Sequence, residues 1–202
     1  MAKTSPPPGF SSRPLEWHTV QKGEAFGRIY LGRYPDALGF GKSPSRFSDP
    51  RRLKDSSRFG VLYLGATLKV CFLEAVLRDQ RDGLTGDLPI HESEFDERQY
   101  AEIEVAERLR LVDLRADRAV RMGIPSDVAR ASDQALSRKW SLALHEHNEM
   151  PDGIIYPSRL NGETNLAIYD RAVAKLRLLR KSTLKSAPGL PSVLNDLLVS
   201  MI

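Results

Sequence analysis

The chain has 202 residues, 41% hydrophobic and 28% charged, the size and composition of one soluble globular domain with a real core. Its 30 basic and 26 acidic residues leave +4 and a sequence pI near 9.3, but the two signs are mixed along the chain, so no nucleic-acid-binding stripe is present. A single cysteine, Cys71, excludes an internal disulfide and a cysteine-built zinc cage, and no apolar run reaches the roughly 18 residues of a bilayer span.

Residues 1–16 are rich in Pro and Ser and lack the apolar stretch of a signal peptide. They read as a loose tail, and the protein as cytoplasmic. Ala25–Leu31 is β-rich and begins the fold. Residues 32–58 are crowded with Gly, Pro, Ser and Asp, and so long a loop in a small domain points to function. Gly60–Gly65 (GVLYLG) is a short apolar strand. Thr67 is placed to cap a helix from Leu68 to Arg78 that is apolar over most of its circumference, with Glu74 the exception. In that helix Cys71 reads as a buried, inert thiol.

After a polar, turn-rich stretch over 79–99, Tyr100–Ala106 alternates as a half-buried strand should, and Leu109–Leu114 follows as another. Asp127–Ala131 and Asp133–His147 have helical character. Gly153–Tyr156, Asn165–Tyr169 and Lys175–Arg180 read as strands, and Val193–Ile202 as an amphipathic helix behind a Pro-Gly linker. Regular βαβ alternation is missing, so the expected class is α+β rather than a doubly wound sheet.

Several familiar sites are absent. LGFGKS (38–43) lacks the leading glycine of a phosphate-binding loop, because that position is Asp36. No G-x-G-x-x-G follows a strand. His145 and His147 are two apart, which puts them on different faces of a helix and makes them poor joint metal ligands. Ser158 has no nucleophile-elbow context. What remains is three polar residues in apolar segments: Arg28 in FGRIYLG, Glu74 in KVCFLEAVL and Ser158 in GIIYPSRL. A charge in an apolar segment must be paired or line a cleft. An Arg, a Glu and a Ser converging on one cleft suit an anionic substrate and a positively charged transition state, the requirements for breaking a nucleotide's glycosidic bond.

The strings FGRIYLG, SRFSDP, GVLYLGATLKVCFLEAV and PDGIIYPSRLNGETNLAIYDRA occur in that order from Phe26 to Ala172. Together they resemble the RES-domain family, named for its Arg, Glu and Ser. The resemblance implies a single α+β domain similar to ADP-ribosyltransferases, with a central split β-sheet flanked by helices. It further implies a bacterial toxin paired with an Xre-type antitoxin, consuming NAD+ as substrate and needing no metal. By motif, the family residues fall on Arg28, Glu74 and Ser158, with Arg46 as the second basic position and Tyr63 as the aromatic. The family often has an aromatic directly after its first Arg; here Ile29 stands there and Tyr30 comes next.

On this reading residues 17–185 form the NAD-binding domain, and 186–202 are a linker and helix. Arg28 and Arg46 suit the phosphates, Tyr63 offers a stacking face and a hydroxyl, Glu74 stabilises the ribosyl cation, and Ser158 orients the ribose or nicotinamide amide. The acceptor of the ADP-ribosyl group could be water or phosphate, giving NAD+ degradation, or a protein side chain, giving mono-ADP-ribosylation. A basic, non-catalytic binding module is the alternative of another class, and a carboxylate in the pocket argues against it. No membrane or direct nucleic-acid contact is expected.

Overall fold

Short β-branched and aromatic runs, separated by turn residues, become ten strands among residues 5–202, which the computed structural model describes. They are β1 (Trp17–Val20), β2 (Ala25–Leu31), β3 (Val61–Gly65), β4 (Leu88–Ile90), β5 (Arg98–Val105), β6 (Leu109–Asp113), β7 (Gly153–Pro157), β8 (Thr164–Tyr169), β9 (Leu176–Thr183) and β10 (Val199–Met201). The α-helices are α1 (Leu68–Phe72), α2 (Glu92–Asp96), α3 (Arg118–Arg121), α4 (Asp127–Arg130), α5 (Ala135–His145) and α6 (Leu190–Asp196). Eight strands form one sheet in the order β1-β6-β7-β8-β3-β2-β5-β9, and β4 and β10 make a small parallel pair apart from it. The expected α+β class and split central sheet are what this chain forms. None of its helices is long and apolar enough to cross a membrane, among the described residues.

Period-two alternation sends successive side chains to opposite faces. On β3, Val61 and Tyr63 join one cluster, and Leu62 and Leu64 another. The first cluster is covered by α3, α4 and α5, through Ala119, Val128, Leu136, Trp140 and Leu144. The second draws on every strand of the large sheet and on no α-helix, so the sheet curls around its own apolar face. A third cluster packs α1, α2 and α6 together through Phe72, Phe95, Leu190 and Val193.

The sheet is nearly broken in the middle. β2 and β3 share a single register pair, Gly27 with Gly65, whereas β2 and β5 pair over seven residues. A Cβ on Gly65 would lie 2.7 Å from Cys71 Sγ and 2.7 Å from Val70 Cγ1. One on Gly27 would lie 3.0 Å from the same sulfur. Two bare glycines therefore let α1 ride directly on the sheet at its narrowest seam.

The structure revises several local expectations. The helix from Leu68 holds α-geometry for five residues, then widens to a π-turn over Leu73–Leu77, closed by Arg78 N–H donating to the Leu73 carbonyl at 2.7 Å. The chain leaves this turn through Arg78 at φ 46°, a strained conformation for a residue with a Cβ. The polar stretch 79–99 contains β4 and α2, and β1 precedes the strand expected to begin the fold.

Within the first sixteen residues, Phe10 is buried and meets Trp140 edge-on at 4.9 Å. That segment is anchored where a loose tail was expected, and residues 1–4 of the expected tail lie outside the described residues. The helix expected over Val193–Ile202 is shifted. α6 ends at Asp196, Leu198 turns to φ 50°, and β10 runs along β4. Arg81 donates to the carbonyls of Leu197 and Leu198, satisfying the helix end so that the chain can turn extended.

Candidate active site

The seam between β2 and β3 opens into a cavity of about 470 Å³. Arg28 and Ile29 come to it from β2, Tyr63 from β3, Glu74 from the π-turn, Tyr156 from β7, Asn165 from β8 and Arg46 from the loop before β3. A π-turn carries one residue more than an α-turn, and such turns recur at functional sites because they re-aim a side chain. Glu74 occupies the one here.

Glu74 is exposed to the cavity, yet its carboxylate is held. Oε1 accepts from Ser158 Oγ at 2.7 Å and from Asn165 Nδ2 at 3.0 Å. Ser158 is itself buried, directly after β7, and its hydroxyl oxygen accepts the Leu160 N–H at 3.1 Å. Ser158 thus meets the cavity through Glu74. Buried behind that carboxylate, its oxygen is placed to brace Glu74 rather than to attack a substrate.

Arg28 is half-buried, with Nη1 donating to the Ala37 carbonyl and its guanidinium 5.4 Å from the Tyr30 ring centre. Burial pulls its pKa down to about 10, against the opposing pull of Tyr30 and Asp36. Ile29, the residue directly after Arg28, lines the cavity. Arg46 donates to the Ala131 carbonyl at 2.7 Å, just past α4. Among the described residues neither arginine has a carboxylate at ion-pair distance, so neither charge is neutralised by an ion pair.

Tyr63 does more than offer a ring. Its hydroxyl bonds Ser45 Oγ at 2.9 Å and accepts the Phe47 N–H at 2.8 Å. Ser141 Oγ donates to the Phe47 carbonyl at 2.7 Å, and the Phe47 ring meets Tyr156 edge-on at 4.8 Å. The loop carrying Arg46 is therefore latched from both flanks. At the mouth, Arg159 pairs with Asp79, tying the loop after β7 to the end of the α1 segment. Cys71 lines the cavity as a buried thiol, pushed up to about 12 by burial, which leaves it protonated and inert.

Of the residues singled out in the sequence, Arg28, Arg46, Tyr63 and Glu74 line one cavity, and Ser158 reaches it through its bond to Glu74. Asn165 escapes a reading of the sequence. It carries the same signal, a polar residue in an apolar strand (TNLAIY), but it stands at the start of that strand, where a polar residue draws no notice. Among the described residues no group of three or more His, Cys, Asp or Glu is placed to hold a metal ion.

The model of the RES domain matches residues 25–187. The chain belongs to the RES-domain family. A probable toxin of Sinorhizobium fredii (strain NBRC 101917 / NGR234), y4kH, is 48% identical to this RES protein over 102 residues, 50% of this chain and 80% of that one. The fold is shared with a chain of the M. tuberculosis MbcT–MbcA toxin–antitoxin complex, at a TM-score of 0.61 and 20% identity, covering 89% of this chain and 91% of that one.

Proposed function

We propose that this RES protein is the toxin of a toxin–antitoxin pair, and that it cleaves NAD+ at the bond between nicotinamide and ribose. The observation that carries the chemistry is one carboxylate, braced by neutral donors, in the same cavity as two arginines that have no carboxylate at ion-pair distance among the described residues. A pyridinium nucleotide combines a diphosphate with a cationic leaving group, and this cavity offers both kinds of complement. The relatives named as a probable toxin and as part of a toxin–antitoxin complex support the biological role, with an Xre-type antitoxin as the partner the family implies.

The two guanidinium forks take the diphosphate, where bidentate contacts are strongest. As the C1′–N bond breaks, its electron pair goes to the pyridine ring and neutral nicotinamide departs. The ribose is left with oxocarbenium character. Glu74 stabilises that positive charge, a fixed-charge effect of a few kcal/mol, or roughly 10²–10³ in rate. Water then adds at C1′ and loses a proton, giving ADP-ribose. Phosphate in place of water gives the phosphorolysis product.

Purified protein incubated with NAD+, with and without phosphate, is expected to release nicotinamide in step with NAD+ loss, and the antitoxin to suppress that release. The other product identifies the acceptor. No nicotinamide release under any of these conditions, or with candidate protein acceptors added, would overturn the proposal.

A further inference from the structure

Both hydrogen bonds to Glu74 fall on the same oxygen. Oε1 takes Ser158 Oγ–H and Asn165 Nδ2–H, and among the described residues no donor reaches Oε2. A glutamate has three side-chain torsions and resists being held in one orientation. One donor leaves the carboxylate free to swing about that contact, whereas two donors from different directions fix its plane.

The two donors differ in rigidity. Ser158 contributes a hydroxyl that can rotate. Asn165 is 4% exposed, and its backbone sits inside β8 between Gly65 of β3 and Tyr156 of β7. Its amide is locked to the sheet at the seam. The amide's orientation follows from chemistry: a carboxylate accepts only, so the NH₂ end must face it. Burying an asparagine in an apolar strand is costly unless a specific bond offsets it, and the bond to Glu74 is the one that does so.

We infer that Asn165 is a positioning residue that acts through Glu74, pinning Oε1 so that Oε2 is the oxygen presented to the substrate. This rests on the cavity being the NAD+ site. It assigns the working atom of the carboxylate and adds a positioning side chain to the RES cavity.

Substitution tests the role directly. Asn165→Ala is expected to lower kcat about 10- to 100-fold, the weight of a hydrogen bond to a charged group, with KM for NAD+ within about twofold. Asn165→Asp keeps the shape but sets a carboxylate against a carboxylate. At neutral pH it should be as impaired as the alanine variant. As pH falls toward about 5 a proton shared by the pair restores the donor, and kcat should recover where the native protein shows no such rise. The charged groups lining the cavity are Arg28, Arg46, Arg78, Arg159 and Asp79, Glu163 acts on Cys71 from beside it, and Cys71 and Tyr156 are neutral. Among the described residues no histidine lines the cavity, so none competes for that pH window.

A second readout does not need turnover. The melting temperature of Asn165→Asp should fall between about pH 5 and 8 with Glu74 present, and the fall should vanish when Glu74→Gln is added. Loss of nicotinamide release in the native protein would remove the proposed activity, while this thermal cycle would still decide the contact. Asn165→Asp with a native pH–rate profile, or with the same melting profile in both backgrounds, would overturn the inference.

Discussion

Arginines in two regions of this molecule are held in opposite ways. Beside β6 and α3, Arg115 and Arg118 both pair with the buried Asp113 carboxylate, at 2.8 and 3.2 Å, and Arg121 pairs with Glu16 and Asp117. In the cavity, Arg28 and Arg46 are steadied by the carbonyls of Ala37 and Ala131 instead. Glu74 mirrors them, held by a hydroxyl and an amide rather than by a cation. Carboxylate partners consume charge and fix structure. Neutral partners fix geometry and leave the charge for a ligand, which is how a binding site can be told from a structural ion cluster.

The largest effect expected from that difference is at Glu74. Glu74→Gln should keep the fold, since Ser158 and Asn165 can still be bonded, and lose about 10²–10³ in kcat. Unchanged melting with near-complete loss of turnover is the pattern to measure. Next comes Arg28→Ala, expected to raise KM for NAD+ about 10- to 100-fold while leaving stability close to native. Among the described residues Arg28 leaves no ion-paired carboxylate behind, so a large fall in melting temperature would erase the contrast with the Asp113 cluster.

Asp113→Ala should do the reverse, costing about 1–3 kcal/mol of stability with kcat and KM little changed, since its arginine partners are partly solvent-screened. Burial raises the Asp113 pKa, but hydrogen bonds and charge from Arg115, with Arg118 behind, outweigh it and hold it below the usual carboxylate range. Asp49, bonded to Arg51 and to the Phe59 N–H, is lowered in the same balance. A lowered folded pKa means stability that is present above the unfolded value and lost as pH falls through the folded one. Acid unfolding should therefore steepen below about pH 4, and Asp113→Ala should flatten that limb. The smallest effect is expected from Tyr63→Phe. Loosening the Arg46 loop by about 1 kcal/mol should raise KM roughly fivefold and barely touch kcat.

Much of this was legible in the chain, for identifiable reasons. Period-two alternation located most of the sheet, and polar residues in apolar segments pointed to Arg28, Glu74 and Ser158. The features that escaped depend on distant partners. The π-turn at Glu74 looks like an ordinary helix in sequence, because Leu73–Leu77 carries no residue that breaks the α-helical pattern. Val199–Met201 has helix-compatible spacing, and only the free edge of β4, far earlier in the chain, makes it a strand. The bonds from Tyr63 to Ser45 and Phe47 assemble across a long loop with no regular period to read. Asn165 reads as the first residue of a strand, where a polar side chain is unremarkable, and only the strand register places it in the core beside Glu74.

One experiment reaches the centre of all this: nicotinamide release from NAD+ by the purified chain, measured by chromatography beside Glu74→Gln of equal thermal stability. The expected result is steady release by the native protein and almost none by the variant. Intact NAD+ in both samples, or equal release from both, would contradict a catalytic role for the braced carboxylate.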